Sequence, residues 1–227
     1  MSMRSILRKA RSMFGSDPNE VFKNVKGVIH VGANIGQEIK LYDKHGLSVI
    51  WIEPIPDVFE TLQTNLKGYS RQKAIKALVT DVDNTEYQFH LASNNGASSS
   101  ILDMNLHQEI WPDVTYEKTI GLYSKTLPTL LKEHNIDIKN YDMLVMDTQG
   151  SELLILQGAA PILQNFDYIK SEVPDFESYK DCCQVKDLQA FLEQYGFEEH
   201  TRHSFAKRQG GGTYYDILYK KKEQALH

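Results

Sequence analysis

The stretch Val28-Ile29-His30-Val31-Gly32-Ala33-Asn34-Ile35-Gly36-Gln37-Glu38 constrains this chain more than any other. It reads as a short apolar strand, a glycine turn and the start of a helix. A second apolar run, Ser48-Val49-Ile50-Trp51-Ile52, follows and ends at Glu53-Pro54. A glycine turn leaving one strand, with an acid at the tip of the next, is how an open α/β sheet holds an adenosine. The glycines let the backbone come close to a ligand, and the acid accepts hydrogen bonds from ribose hydroxyls.

The glycine spacing narrows the ligand. A dinucleotide turn places a pyrophosphate on the helix N-terminus and carries glycines at offsets of about zero, two and five. Here the glycines are Gly32 and Gly36, with Asn34 between them. That pattern suits a nucleoside without a pyrophosphate and points to S-adenosylmethionine as cofactor.

At 227 residues the chain has room for one substantial core. We divide it into a basic amphipathic segment (1–20), one domain (21–222) and a short tail. Its formal net charge of −5 gives no electrostatic support for a nucleic-acid partner. Cys182 and Cys183 are its only cysteines, and neighbours in sequence bridge poorly. With no run long enough for a membrane span and no secretory apolar core at the N-terminus, these features fit a cytoplasmic protein. Within the N-terminal segment, Arg4, Arg8, Lys9 and Arg11 accompany Met3, Leu7, Ala10 and Phe14 at helical spacing.

Along the domain, strands are predicted at 27–32, 48–52, 73–79, 85–91, 141–147 and 167–173, with a closing antiparallel pair at 197–204 and 213–220. Helices are predicted at 35–45, 57–66, 126–134, 151–158 and 185–195, Asp57 capping the second. Residues 101–125 show no clear period and read as an excursion over the substrate side of the sheet. The order implies a doubly wound, mainly parallel sheet with an antiparallel C-terminal edge. Ligands in such sheets sit at the carboxyl ends of the strands. Gly32, Glu53, Asp81, Asp147 and Glu172 stand at those ends. Several acids meeting in one crevice point to chemistry, whereas any one alone reads equally well as a solvated loop acid.

Four motifs then resemble those of the FkbM-type methyltransferases. They are Val28–Gln37, Ile52-Glu53-Pro54, Ser98-Ser99-Ser100-Ile101-Leu102 and Asp147-Thr148-Gln149-Gly150-Ser151-Glu152-Leu153. The last, continued by Leu156-Gln157-Gly158-Ala159, is the most specific. The resemblance implies S-adenosylmethionine-dependent O-methylation on a seven-stranded Rossmann-like methyltransferase sheet. It implies cofactor contacts at Gly32, Ala33, Asn34 and Gly36, the ribose at Glu53 beside Pro54, the adenine near Asp81 and the methyl end near Asp147. His30 departs from the family pattern, in which an acid is common. It reads equally as a cofactor contact or a core histidine. Ser98, Ser99 and Ser100 read as contacts to cofactor or acceptor, or as turn caps.

Methylating an alcohol requires that its proton be removed. Asp147 is the preferred base with Glu172 as partner, and His90 and His107 are secondary candidates. No metal-ligand spacing stands out. Tyr116 and Tyr123 are candidate stacking residues for a small-molecule hydroxyl acceptor such as a sugar, glycolipid or polyketide-like compound. Two other readings stay open: a nicotinamide-dependent oxidoreductase, and a non-catalytic module that binds an adenosyl ligand.

Overall fold

The apolar strands are buried from both sides, and their alternation feeds two separate layers. A computed structural model describes residues 20–223. The N-terminal basic segment, up to residue 19, lies outside the described residues. In β1 (Gly27–Val31), Ile29 and Val31 enter one core and Val28 the other. The same split holds in β2 (Ser48–Ile52) and in the later strand Met143–Met146. Near-continuous apolar runs are what a parallel strand covered on both faces requires.

The first layer holds α1 (Ile39–Lys44) and α2 (Pro56–Asn65) through Ile39, Tyr42, Leu62 and Leu66. The chain continues through β3 (Gln72–Ile75), β4 (Leu78–Val79), β5 (Glu86–Ala92) and β6 (Tyr116–Lys125). Next come α3 (Leu127–Glu133), β7 (Met143–Met146), α4 (Glu152–Ala159), β8 (Tyr168–Pro174), α5 (Val185–Gln194), β9 (Phe197–Lys207) and β10 (Thr213–Lys221). The second layer packs α3, α4 and α5 on the opposite face through Leu130, Ile155, Leu156, Leu188 and Leu192. Thr126 caps α3 through its side chain, and a Gln184–Asp187 capping box opens α5.

The main sheet has seven strands in the order β3-β2-β1-β7-β8-β10-β9. Strand pairs from β3 to β8 are parallel, and β10 is antiparallel to both β8 and β9. Strand order reverses between β1 and β7, which opens a crevice at their carboxyl ends.

Four expectations need correction. The run at 73–79 is two strands: β3 closes at Ile75 on the main sheet, and β4 joins a three-stranded sheet ordered β4-β6-β5. Residues 101–125 are not irregular throughout, because Tyr116–Lys125 forms β6. The first helix begins at Ile39, not near residue 35, because Asn34 and Gly36 take left-handed backbones (φ 45° and 79°). Asp57 does not cap α2; Ile55 holds that position and Pro56 begins the helix.

Candidate active site

The turn after β1 is shaped by the protein's own packing. A Cβ on Gly32 would sit 1.9 Å from the Asp147 carbonyl oxygen, and one on Gly36 would sit 2.5 Å from Ile39. The glycines therefore press the turn onto β7 and α1. The N–H groups of Gly32 and Ala33 both donate to the Ile52 carbonyl (3.0 and 3.1 Å), and the Ala33 side chain is buried. Both amides are thus committed to β2, not to a ligand.

Asn34 turns the chain back to the acid expected at the tip of β2. Its N–H donates to Glu53 Oε2 at 2.8 Å, and the Ile55 N–H donates to Glu53 Oε1 at 2.9 Å. Glu53 is 3% exposed. Burial pushes its pKa up to about 7, against the two backbone hydrogen bonds that lower it. A carboxylate has about four acceptor positions, so this one keeps capacity for a diol. Pro54 is half-buried beside it. The loop after β5 reaches the same corner. The Asn95 carbonyl accepts from Asn34 Nδ2 at 3.4 Å, and Gly96 packs on Ile55.

On the other side of the switch, one face of the sheet carries a row of polar groups. His30, Val145 and Lys170 are neighbours in register, and Glu172 pairs with Asp216 one step nearer the strand tips. With Glu38, Tyr42 and Asp147 these residues line a cavity of about 60 Å³. Lys170 Nζ lies 3.0 Å from Asp216 Oδ1. Four carboxylates (Glu38, Asp147, Glu172, Asp216) thus face one ammonium. Enclosure by protein, then the neighbouring carboxylates, raises Asp147 to about 7 and Glu172 well above the usual carboxylate range. Asp147 is itself exposed to solvent, and water there screens the charges that raise it.

The remaining residues fall into place around this centre. His30 is a core residue at the edge of the cavity: it is 5% exposed, stacks on Trp51 at 4.9 Å, and meets the Tyr42 hydroxyl at 3.3 Å. Burial, then Lys170, lowers its pKa to about 3, so it is neutral. Ser99 is committed to the turn, its Oγ accepting from the Ala92 N–H at 2.9 Å. Asp81 is not brought to the crevice. It follows β4 of the small sheet and packs against Gly158 in the last turn of α4. The reason is the break at Ile75, which removes it from a main-sheet tip. His107 is buried between Ser98 Oγ (3.0 Å) and the Tyr214 hydroxyl (2.8 Å), and burial lowers its pKa to about 4. His90 stacks on Tyr116 and faces Asp103 at 3.6 Å. Tyr123 is 66% exposed on β6.

Sequence reasoning missed Gln149, Lys170, Asp216 and Glu38. The signal for Lys170 and Asp216 was a charge inside an otherwise apolar strand, two residues from Glu172 on β8 and opposite it on β10. Glu152 also went unnoticed as a support. It accepts from the Thr148 N–H (3.0 Å), the Thr148 hydroxyl (3.1 Å) and the Gly150 N–H (3.1 Å), and so fixes the turn that presents Asp147. Among the described residues no group of acids, histidines and cysteines could hold a metal ion. No described helix is long and apolar enough to cross a membrane.

A doubly wound sheet with a buried acid at the tip of its second strand and an acid-lined crevice at its switch point is the arrangement of a nucleoside-binding α/β enzyme. A family model described as the methyltransferase FkbM domain matches residues 30–199, and the chain belongs to that family. It is a methyltransferase, and its cofactor is that of the family, S-adenosylmethionine. Among solved structures, an uncharacterised protein from Listeria monocytogenes serotype 4b is 12% identical with a TM-score of 0.53, over 100% of this chain and 70% of that one. A candidate tRNA (m1A22) methyltransferase of Streptococcus pneumoniae, in complex with S-adenosyl-L-methionine, is also 12% identical with a TM-score of 0.50, over 93% and 75%. At that identity the likeness is one of fold. No curated protein matches the chain.

The residues present fit this cofactor. Glu53 is a buried carboxylate with acceptor positions to spare at the glycine turn, as a ribose diol needs. The surplus of carboxylates in the crevice suits a ligand carrying sulfonium and ammonium charges.

Proposed function

We propose that this chain methylates a hydroxyl oxygen of a small molecule of the sugar, glycolipid or polyketide-like type, with Asp147 as general base. The observation that carries this reading is the placement of Asp147. Its carboxylate stands at the tip of β7, open to the crevice, anchored through one oxygen by Gln149 Nε2 at 2.7 Å. A carboxylate whose pKa is raised toward neutrality is matched to proton removal at working pH.

When bound, S-adenosylmethionine supplies a methyl group already activated by a sulfonium. Glu53 holds the nucleoside end, beside Gly32, Ala33, Asn34, Gly36 and Pro54. Asp147 accepts the proton of the acceptor hydroxyl as its oxygen takes the methyl, and Glu172 orients that hydroxyl. Holding the reacting oxygen in line supplies much of the acceleration. Net charge and the acid-lined crevice oppose a polyanionic acceptor such as RNA. Both cysteines are free and buried, which supports a reducing, cytoplasmic setting.

The test is incubation of the full chain with methyl-labelled donor and fractionated cell extract, followed by identification of the labelled atom. Label on an oxygen of a small molecule supports the proposal. Label on RNA, or on nitrogen or carbon, contradicts it. Donor binding with no transfer into any fraction supports the non-catalytic module instead.

A further inference from the structure

We propose that Gln149 is a positioning residue for the transfer: its amide fixes the Asp147 and Glu172 carboxylates in one orientation and ties them to the aromatic wall through Tyr179. This rests on the reading of Asp147 as the base. Four contacts converge on the residue. Nε2 donates to Asp147 Oδ1 at 2.7 Å and to Glu172 Oε1 at 3.4 Å. Oε1 accepts from the Tyr179 hydroxyl at 2.9 Å, and the Gln149 carbonyl accepts from Ser100 Oγ at 2.8 Å.

The amide N–H group faces the two carboxylates and its oxygen faces the Tyr179 hydroxyl, which also lies 3.2 Å from the Ser98 carbonyl. The Asp147 carboxylate accepts from the amide N–H at the shorter distance, and Glu172 lies at the longer 3.4 Å. A phenol donates to the carbonyl end. Tyr179 is fully buried, and burial pushes its hydroxyl well above its ordinary pKa, so it remains a donor. His107 lies beside it with ring centroids 4.9 Å apart, and Tyr214 and Trp111 continue the wall.

The backbone agrees with a functional constraint. Gln149 has φ 57°, a left-handed conformation that a non-glycine residue keeps only where its surroundings impose it. Glu152 holds Thr148 and Gly150 on either side, and Ser100 holds Gln149 itself. Asp147 Oδ2 has no hydrogen-bond partner among the described residues, so anchoring Oδ1 leaves the second oxygen for the acceptor. Charged or titratable groups face Asp147 from every side: Glu38 ahead of α1, Glu53 after β2, Glu152 on α4, Lys170 and Glu172 on β8, and Asp216 on β10. Gln149 supplies the hydrogen bond that offsets the carboxylates among them and keeps Asp147 ionisable.

The experiment is a 13C carboxyl titration of Asp147 and Glu53 in the full chain, for the parent, Gln149→Asn and Tyr179→Phe. Asparagine tolerates the left-handed backbone but is one methylene short of its partners. In Gln149→Asn the Asp147 midpoint should rise by about one pH unit, the size of one hydrogen bond to a charged group, while Glu53 stays where it was. Tyr179→Phe, which frees the amide to turn, should move Asp147 the same way by less. An unmoved Asp147 midpoint in both variants overturns the proposal. So does an equal shift of Glu53, because that marks a general loosening of the site. The two readings fail separately: an unmoved midpoint removes Gln149 alone, whereas turnover by Asp147→Asn removes the base assignment.

Discussion

Asn34 and Glu53 are joined by a 2.8 Å hydrogen bond from the Asn34 N–H to Glu53 Oε2, so the left-handed turn after β1 and the acid after β2 form one unit. Glu53 titrates near pH 7 because it is buried. In the folded chain it holds its proton more tightly than in the unfolded chain, where its pKa is about 4.5. Its contribution to stability is therefore full below pH 4.5 and is lost as pH rises through about 7. Ribose recognition needs the opposite, ionised form. Affinity for S-adenosylmethionine should fall by about tenfold per pH unit below 7 through this group. Calorimetry across pH 5–8 checks this: Glu53→Gln should bind more weakly and lose that part of the slope.

His30 shifts in the other direction. Burial lowers it to about 3 from 6.5, so its contribution is full above pH 6.5 and is lost as pH falls through about 3. His30→Phe keeps a ring against Trp51 and removes the titration. Urea unfolding should show the variant gaining on the parent by about 1.4 kcal/mol per pH unit between pH 6 and 4. A constant difference over that range would mean that His30 charges within the fold.

Gly32 and Gly68 provide a matched pair. Both have left-handed backbones (φ 78° and 97°), but a Cβ on Gly68 meets nothing within 4 Å, whereas one on Gly32 strikes the Asp147 carbonyl. Gly68→Ala should cost about 1 kcal/mol from the backbone alone. Gly32→Ala should cost more than about 3 kcal/mol, because β1 and β7 must separate. Urea denaturation of the two variants measures the difference. Equal costs would show that the turn yields without disturbing β7.

Asp147→Asn keeps the shape of the side chain and its bond to Gln149 but cannot accept a proton from an alcohol. Transfer should fall by about 10²–10⁴-fold, with donor affinity changed by less than about tenfold. Single-turnover transfer and calorimetry on the same preparation separate the two. Parent-like transfer would assign proton removal to another group.

The main sheet was legible because its strands are apolar runs, and two-sided burial leaves no alternative reading for Leu144-Val145-Met146 or Val49-Ile50-Trp51. The small sheet was not. Tyr116–Lys125 buries only Ser124 outright, so its side chains carry no steady alternation, and its partners β4 and β5 lie far back in the chain. The break at Lys76-Ala77 was equally hidden, because only the pairing of β4 with β6 separates it from β3. In the site, Glu53, Asp147 and Glu172 could be read as strand-tip acids. Lys170 and Asp216 showed only as charges inside apolar strands, because their meeting depends on the register of β8 against β10. The purpose of Gly32 and Ala33 also needed coordinates, since sequence cannot tell a turn pressed onto β7 from one opened toward a ligand.

The most direct test of the account is calorimetric titration of the full chain with S-adenosylmethionine and with NAD, for the parent and Glu53→Ala. The parent should show one site for S-adenosylmethionine, weakened by at least about tenfold in the variant through loss of a charged hydrogen-bond acceptor, and no binding of NAD. Equal affinity in parent and variant, or heat from NAD alone, would contradict it.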